Sequence, residues 1–326
     1  MAFEATIVPR PPYSLGLSAR MKSDATRFLR DGVLTMAFEA EGRPAVARVR
    51  QRPDGSLAVR IEGATASAGL DHLRFVLAAD DDHEPFLRRF ERDPLLGEAT
   101  RRLRGLRPLR TATVTHALLK AVCGQLIQAR AARALEARLL RRRGVAHGDL
   151  RLPPTRATFG ALSPAELARD GLVARKATVL VRLSREWDVE RLRGIDTDRA
   201  AARLERERGL GSWSAGMICL YGLGRFERGL VGDLGLIKLC STLRGRWADA
   251  DDTRELLEPY GEWAGLASVY LLAGGAPLPG ARSFSRRRPP AAAVAAPTRA
   301  SSQTGSPVNG SSSWGTARTT VMGAAG

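Results

Sequence analysis

The feature that most constrains this chain is Gly209-Leu210-Gly211, followed directly by Ser212-Trp213-Ser214-Ala215. It separates two helical stretches. One opens at Asp196-Thr197-Asp198 and runs to Arg208; the other opens at Ser212, read as its cap, and runs to about Leu223. Two glycines two apart make a turn that L-residues resist, because glycine takes positive φ at little cost. With no side chains in the way, the amides of Gly209, Gly211 and Ser212 can come close to a phosphate. The same stretch also suits an ordinary corner between two helices.

The sequence around this turn is helical from Thr113 to about Ala273. Val114, Leu118, Val122 and Leu126 recur every four residues, flanked by Leu119, Cys123 and Ile127. That spacing predicts the core stripe of one long helix ending near Arg142. Ser163-Pro164 opens a short helix, Arg175 to Trp187 forms another, and Asp252-Thr253 starts a last pair with Pro259 between them. Val231-Gly232-Asp233-Leu234-Gly235-Leu236-Ile237-Lys238 places one carboxylate in a glycine-flanked apolar run where a helix begins. The bland reading of Asp233 is an N-cap. The chemical reading is a carboxylate held near a developing positive charge.

The first third reads differently. Leu34, Met36 and Phe38 alternate with smaller or polar residues, and so do Leu57, Val59 and Ile61. Glu41-Gly42-Arg43-Pro44 and Pro53-Asp54-Gly55 supply the turns. Two or three antiparallel strands are expected, followed by helices over 69–79 and 84–90. Five arginines (101, 102, 104, 107 and 110) surround Pro108, and such a run is usually a solvated face. The expected organisation is α+β: an antiparallel-sheet domain over 1–108, then an all-α domain over 109–275 built around the helix–hairpin–helix turn.

Charge narrows the partner. There are 51 basic residues against 34 acidic, a formal charge of +17, and all but four of the basic residues are arginine. The segment 276–326 holds six of those arginines and no acidic residue, and it is too poor in core residues to fold. Setting those six aside leaves +11, still an excess that favours a polyanion such as nucleic acid. A GC-rich coding bias accounts for arginine just as well. The three cysteines (123, 219 and 240) form no C-x-x-C pair, which excludes a zinc ribbon and a four-thiolate iron–sulfur cluster. Sparse thiols, no apolar run of spanning length and no secretory h-region at the start point to a soluble cytoplasmic protein.

Three segments carry a resemblance in order and spacing: Val122-Cys123-Gly124-Gln125-Leu126-Ile127, the hairpin 209–215, and Gly232-Asp233-Leu234 with Ile237-Lys238. Over roughly 1–275 the chain resembles the helix–hairpin–helix DNA glycosylases, most nearly the bacterial DNA-3-methyladenine glycosylase II branch. The resemblance implies a monomeric enzyme that flips a damaged base from double-stranded DNA and cuts its glycosidic bond. Asp233 matches the catalytic aspartate. Gly209, Gly211 and Ser212 match the backbone grip, and Gln125 and Leu126 the segment entering the duplex, with Leu126 as wedge. Taken alone, Leu126 reads as a core leucine. Trp213, Met217 and Tyr270 are the expected base-pocket residues. No metal or cofactor is implied, save a monovalent cation at the hairpin.

Departures bear on selectivity. Trp213 stands where strand-cleaving relatives carry a lysine, and an indole offers no amine for a Schiff base. Met217 stands where a tyrosine is usual, and Gly261-Glu262 replace an Arg-Ser pair. Alkylated purines are the expected lesions. Uracil or hypoxanthine, or a non-catalytic DNA-binding module with Asp233 only a cap, are the alternatives.

Overall fold

The computed structural model describes residues 2–20 and 24–274, so the arginine-bearing tail from 276 lies outside the described residues. Five strands form one antiparallel sheet: β1 (Ala2–Ile7), β2 (Arg27–Arg30), β3 (Val33–Ala40), β4 (Arg43–Gln51) and β5 (Leu57–Glu62), in the order β1-β5-β4-β3-β2. This exceeds the two or three expected. The inner strands carry the period-two pattern, with Leu34, Met36, Phe38, Leu57, Val59 and Ile61 all buried. Glu41 and Gly42, both at positive φ, close the β3–β4 hairpin. Helix α1 (Leu15–Ala19) precedes β2, and α2 (Ala66–Val76) packs its Leu73 and Val76 on the sheet.

Helices α3 (Glu84–Arg89) and α4 (Gly97–Arg102) follow. They do not join the sheet's core. Phe86, Leu87, Leu96 and Ala99 pack with residues from 220–271 instead, so the first segment's last helices share a core with the chain's far end. Beyond α4 the order is α5 (Val114–Gly124), α6 (Ala129–Arg143), a small hairpin of β6 (Ala146–His147) and β7 (Leu150–Arg151), then α7 (Arg156–Gly160), α8 (Pro164–Arg169) and α9 (Ala174–Glu186). Next come α10 (Thr197–Glu205), α11 (Ser212–Ile218) running into a π-helical turn at Cys219–Leu223, α12 (Leu234–Arg244), α13 (Ala250–Leu257) and α14 (Ala264–Gly274). No helix among the described residues is long and apolar enough to cross a membrane.

Two expectations need correction. The arginine run is not wholly solvated: Arg101, Arg102 and Arg104 are exposed, but Arg107 and Arg110 are buried. The Arg107 guanidinium donates to the carbonyls of Ala78 (3.0 Å), Arg10 (2.6 Å), Pro12 (3.1 Å) and Asp81. Arg110 donates to both Asp81 oxygens, at 2.7 and 2.6 Å. A planar fork whose two terminal nitrogens are satisfied in this way can be buried, even though Arg107 Nε has no partner among the described residues.

The second correction concerns the long helix, which is two. Between α5 and α6 the chain turns at Leu126, whose φ of +58° is left-handed, and Leu126 is 79% exposed rather than in the core. Such a backbone costs a non-glycine residue roughly 1–2 kcal/mol. The Trp213 ring lies beside Gly124, the last residue of α5, where a Cβ would lie 2.6 Å from Trp213 Cη2, so only glycine fits there.

Behind this turn lies a buried charge network. Lys120 Nζ donates to both Glu136 oxygens at 2.9 Å, and His116 Nε2 lies 3.0 Å from Glu136 Oε1. Asp24, ahead of β2, has a carboxylate oxygen within 4.8 Å of the His116 and Glu136 atoms, so the network reaches from α5 and α6 to the sheet. Burial alone would raise the Glu136 carboxyl; Lys120 and His116 outweigh it and hold it well below 4.5. A carboxyl depressed by folding stabilises above its unfolded value and loses that contribution as pH falls through the folded one. Glu136→Gln should therefore cost about 3–5 kcal/mol at neutral pH, by leaving the Lys120 ammonium uncompensated. Denaturant melts should show the gap to wild type narrowing once the pH drops below 4.5. A gap that stays constant with pH would contradict this.

Candidate active site

The site begins at the N-terminus of α12. Gly232 has a φ of +84°, which bends the chain so that its amide donates to Thr253 Oγ1 at 2.8 Å. Asp233 then caps α12: its Oδ1 accepts from the Gly235 amide at 2.8 Å. The bland reading of Asp233 is thus realised, and a second interaction is added to it. Oδ2 accepts from Trp213 Nε1 at 3.0 Å. One carboxylate oxygen is fixed by its own helix and the other by an indole twenty residues earlier. The carboxylate is half-buried, and the positive end of α12 favours its charge.

Two residues to which the sequence assigned no role, Gly235 and Leu272, shape this spot. A Cβ on Gly235 would lie 2.4 Å from Leu272 Cδ2 and 3.1 Å from Asp233 Oδ1. Gly235 therefore leaves room for Leu272, whose half-exposed side chain stands beside the capped helix end. The glycine following Gly-Asp-Leu was visible as part of the run around Asp233. Leu272 gave no signal, because α14 is apolar on every side.

Trp213 comes from the hairpin. Gly209 has a φ of +97°, and a Cβ there would meet Val179 Cγ2 at 2.4 Å, so both conformation and close approach to α9 require glycine. Gly211 differs: its backbone is extended, it is exposed, and a Cβ would meet nothing within 4 Å. The structure makes Gly211, not Ser212, the residue preceding α11, with no side chain capping the helix; Ser212 is its first residue. Exposed backbone at Gly211 thus leads straight into the first turn of α11. Glu207, buried beside the turn, accepts from Arg182 Nη1 at 2.9 Å and from Arg203, and Arg182 also donates to the Arg208 carbonyl at 3.2 Å.

Gln125 reaches the same hairpin. Its Nε2 donates to the Gly209 carbonyl at 2.8 Å and to Ser214 Oγ at 3.1 Å. Leu126, next in the chain, projects into solvent. Five expected residues (Gly209, Gly211, Trp213, Gln125 and Asp233) are thus joined by hydrogen bonds or chain continuity, with Ser212 and Leu126 alongside.

The base-pocket expectations fare less evenly. Met217 is half-buried and packs against two apolar clusters, one around α5 and α9 and one around α14. Tyr270 has no exposed surface; its hydroxyl donates to the Leu106 carbonyl at 3.2 Å and its ring meets Phe86 edge-on at 5.1 Å. A ring enclosed this way has no face free for a base, so Tyr270 is a core residue.

The two glycines give a contrast in stability. Gly209→Ala should destabilise by about 1–3 kcal/mol, through the positive φ and the Val179 clash. Gly211→Ala should cost under about 1 kcal/mol, the ordinary preference for glycine over alanine at a cap. Equal losses in denaturant melts would show that Gly209 is not under steric constraint.

No family model matches the chain. Among curated proteins, the DNA-3-methyladenine glycosylase of Bacillus subtilis (strain 168) is 28% identical over 208 residues, covering 59% of this chain and 67% of that protein. Among solved structures, a 3-methyladenine DNA-glycosylase from Archaeoglobus fulgidus superposes with a TM-score of 0.72 at 23% identity, over 82% of this chain and 97% of that one. An 8-oxoguanine glycosylase/lyase from Clostridium acetobutylicum, in complex with double-stranded DNA, gives 0.67 at 15% identity, over 81% and 91%. These two share the fold. Motif order, the curated relative and the fold all fit a place for this chain in the helix–hairpin–helix DNA glycosylase superfamily.

Proposed function

We propose that this chain is a monofunctional DNA glycosylase that flips a damaged base out of the duplex and hydrolyses its N-glycosidic bond. The observation that carries the reading is the Asp233 carboxylate, fixed at both oxygens beside a turn of bare backbone. Helices α10 and α11 with the turn between them form the helix–hairpin–helix grip. The amides at Gly211 and Ser212 bind a phosphate of the damaged strand. Leu126, exposed and held out from the α5–α6 turn, fills the gap left by the flipped base. Binding energy from these two elements offsets the unstacking, which is a few kcal/mol.

As the glycosidic bond lengthens, positive charge develops on the sugar. Asp233 stabilises that charge electrostatically and orients or deprotonates the attacking water. An N3- or N7-alkylated purine already carries positive charge and leaves without protonation. One carboxylate is then sufficient, which supports alkylated purines as the lesion class, in line with the curated relative's name. Leu272 puts aliphatic surface near the site, Trp213 is the aromatic neighbour of the carboxylate, and Met217 follows Trp213 one helical turn on. Such walls accept base shapes broadly and discriminate less by charge.

Duplexes each carrying one lesion, treated with alkali after incubation, identify the substrate: 7-methylguanine, hypoxanthine, uracil and 8-oxoguanine form the panel. A binding module without catalysis leaves every strand intact. Asp233→Asn removes the charge and keeps a side-chain oxygen for the cap, while giving up the acceptor for Trp213 Nε1. Its single-turnover rate should fall at least about 100-fold, or ~2.7 kcal/mol, with DNA binding retained. A loss under tenfold would make Asp233 a structural cap only.

Base release should leave an abasic site in an unbroken strand. Trp213 supplies no amine at the hairpin, so borohydride should trap no covalent protein–DNA adduct. A high yield of adduct would show that an amine elsewhere in the chain performs lyase chemistry.

A further inference from the structure

Leu126 holds a left-handed backbone with its side chain in solvent, so its own contacts do not keep it there. The bonds that do so lie on either side of it. The Gln125 amide is fastened to the hairpin through the Gly209 carbonyl and Ser214. The Gln125 carbonyl accepts from Lys176 Nζ at 2.7 Å, and the same ammonium reaches the Cys123 carbonyl at 3.4 Å. Lys176 stands in the first turn of α9 and is buried, with 7% of its surface exposed. Among the described residues its hydrogen-bond acceptors are these two neutral carbonyls, and no carboxylate forms an ion pair with it. Burial accordingly lowers its pKa from the ordinary 10.5.

A buried ammonium without a carboxylate is costly unless other groups receive its charge. Here the receiving group is the C-terminus of α5. That end carries unpaired carbonyls and the negative pole of the helix. The carbonyls that Lys176 takes belong to Cys123 and Gln125, bracketing the residue at which α5 stops. They put the ammonium at the end of α5, where the chain leaves toward Leu126.

We propose that Lys176 is a positioning residue that locks the Leu126 turn in its projecting form and, with Gln125, joins that turn rigidly to the hairpin. The wedge and the backbone grip then meet DNA as one preformed surface. This rests on the glycosylase reading, in which Leu126 enters the duplex. The lock itself is a property of the free protein.

Lys176→Met keeps the buried methylenes and removes the donor. Amide exchange in the DNA-free protein should rise at least tenfold at 122–124, the last turn of α5, with α9 still protected. Unchanged exchange at 122–124 overturns the lock, whatever the protein catalyses. Single-turnover excision is then compared on two substrates, one with the lesion paired in duplex and one with it opposite an abasic analogue, where little flipping work is needed. Lys176→Met should slow the first at least tenfold and the second less than twofold. In a Leu126→Ala background it should add less than twofold on either substrate. Equal slowing of both substrates, or full additivity with Leu126→Ala, would mean that Lys176 only supports the fold. If Lys176→Met gives no cooperative melt, Lys176→Gln enters the same three measurements with the same criteria. Wild-type protein inactive on every lesion would refute the glycosylase reading, while the exchange measurement would still decide the lock.

Discussion

Arg107 is the residue on which the arrangement of chain segments depends. A guanidinium with no exposed surface must place its N–H groups or pay the full cost of desolvation. It places those of Nη1 and Nη2 on carbonyls at 10, 12, 78 and 81, which brings the first strand's end and the segment after α2 together, while Nε has no partner among the described residues. Arg110, three residues on, repeats this with the Asp81 carboxylate, the Phe75 carbonyl at 3.0 Å and the Gly224 carbonyl at 3.3 Å. The Gly224 contact ties the sheet's flank to the far side of the hairpin helices. Both residues stand just before α5, so they determine where α5 begins relative to the sheet.

From that start the candidate site is assembled by side chains bonding to backbone rather than to each other. Gln125 takes a hairpin carbonyl, Lys176 takes two carbonyls at the end of α5, and Asp233 takes the amide of its own helix. Two bonds link side chains directly, the indole on the carboxylate and the Gln125 amide on Ser214 Oγ. Bonds to backbone restrict where segments lie, so four regions distant in sequence meet with little freedom. Such preorganisation matters most where charge develops during a reaction.

Much of this was legible beforehand, for physical reasons that vary along the chain. Leu34, Met36 and Phe38 announced their strand because one face is buried and the other is not. The outer strands β1 and β2 did not. They sit at the sheet's edges, and β2 hides its pattern behind Arg27 and Arg30. The Gly209–Gly211 turn was readable because positive φ selects glycine. Asp233 was readable because a cap has a fixed place. The α5–α6 break was not: the four-residue stripe continues through Leu126, and what lies at the break is a ring from residue 213 and an ammonium from residue 176. Periodicity records which face is apolar, not where a distant side chain interrupts it. Tyr270 was misplaced for a related reason, since an aromatic near the end of a helix says nothing about which neighbours enclose it.

The contact between Gly124 and Trp213 has a consequence for how this sequence can vary. The indole edge lies where a side chain at 124 would stand, and the same indole holds an oxygen of Asp233. Positions 124 and 213 therefore cannot drift independently through evolution. A lineage that gains a methyl at 124 must move or shrink the ring at 213, and in doing so it frees the carboxylate. Selection acting on the aspartate is thereby felt at a glycine that never touches it, and the two positions should change together or not at all.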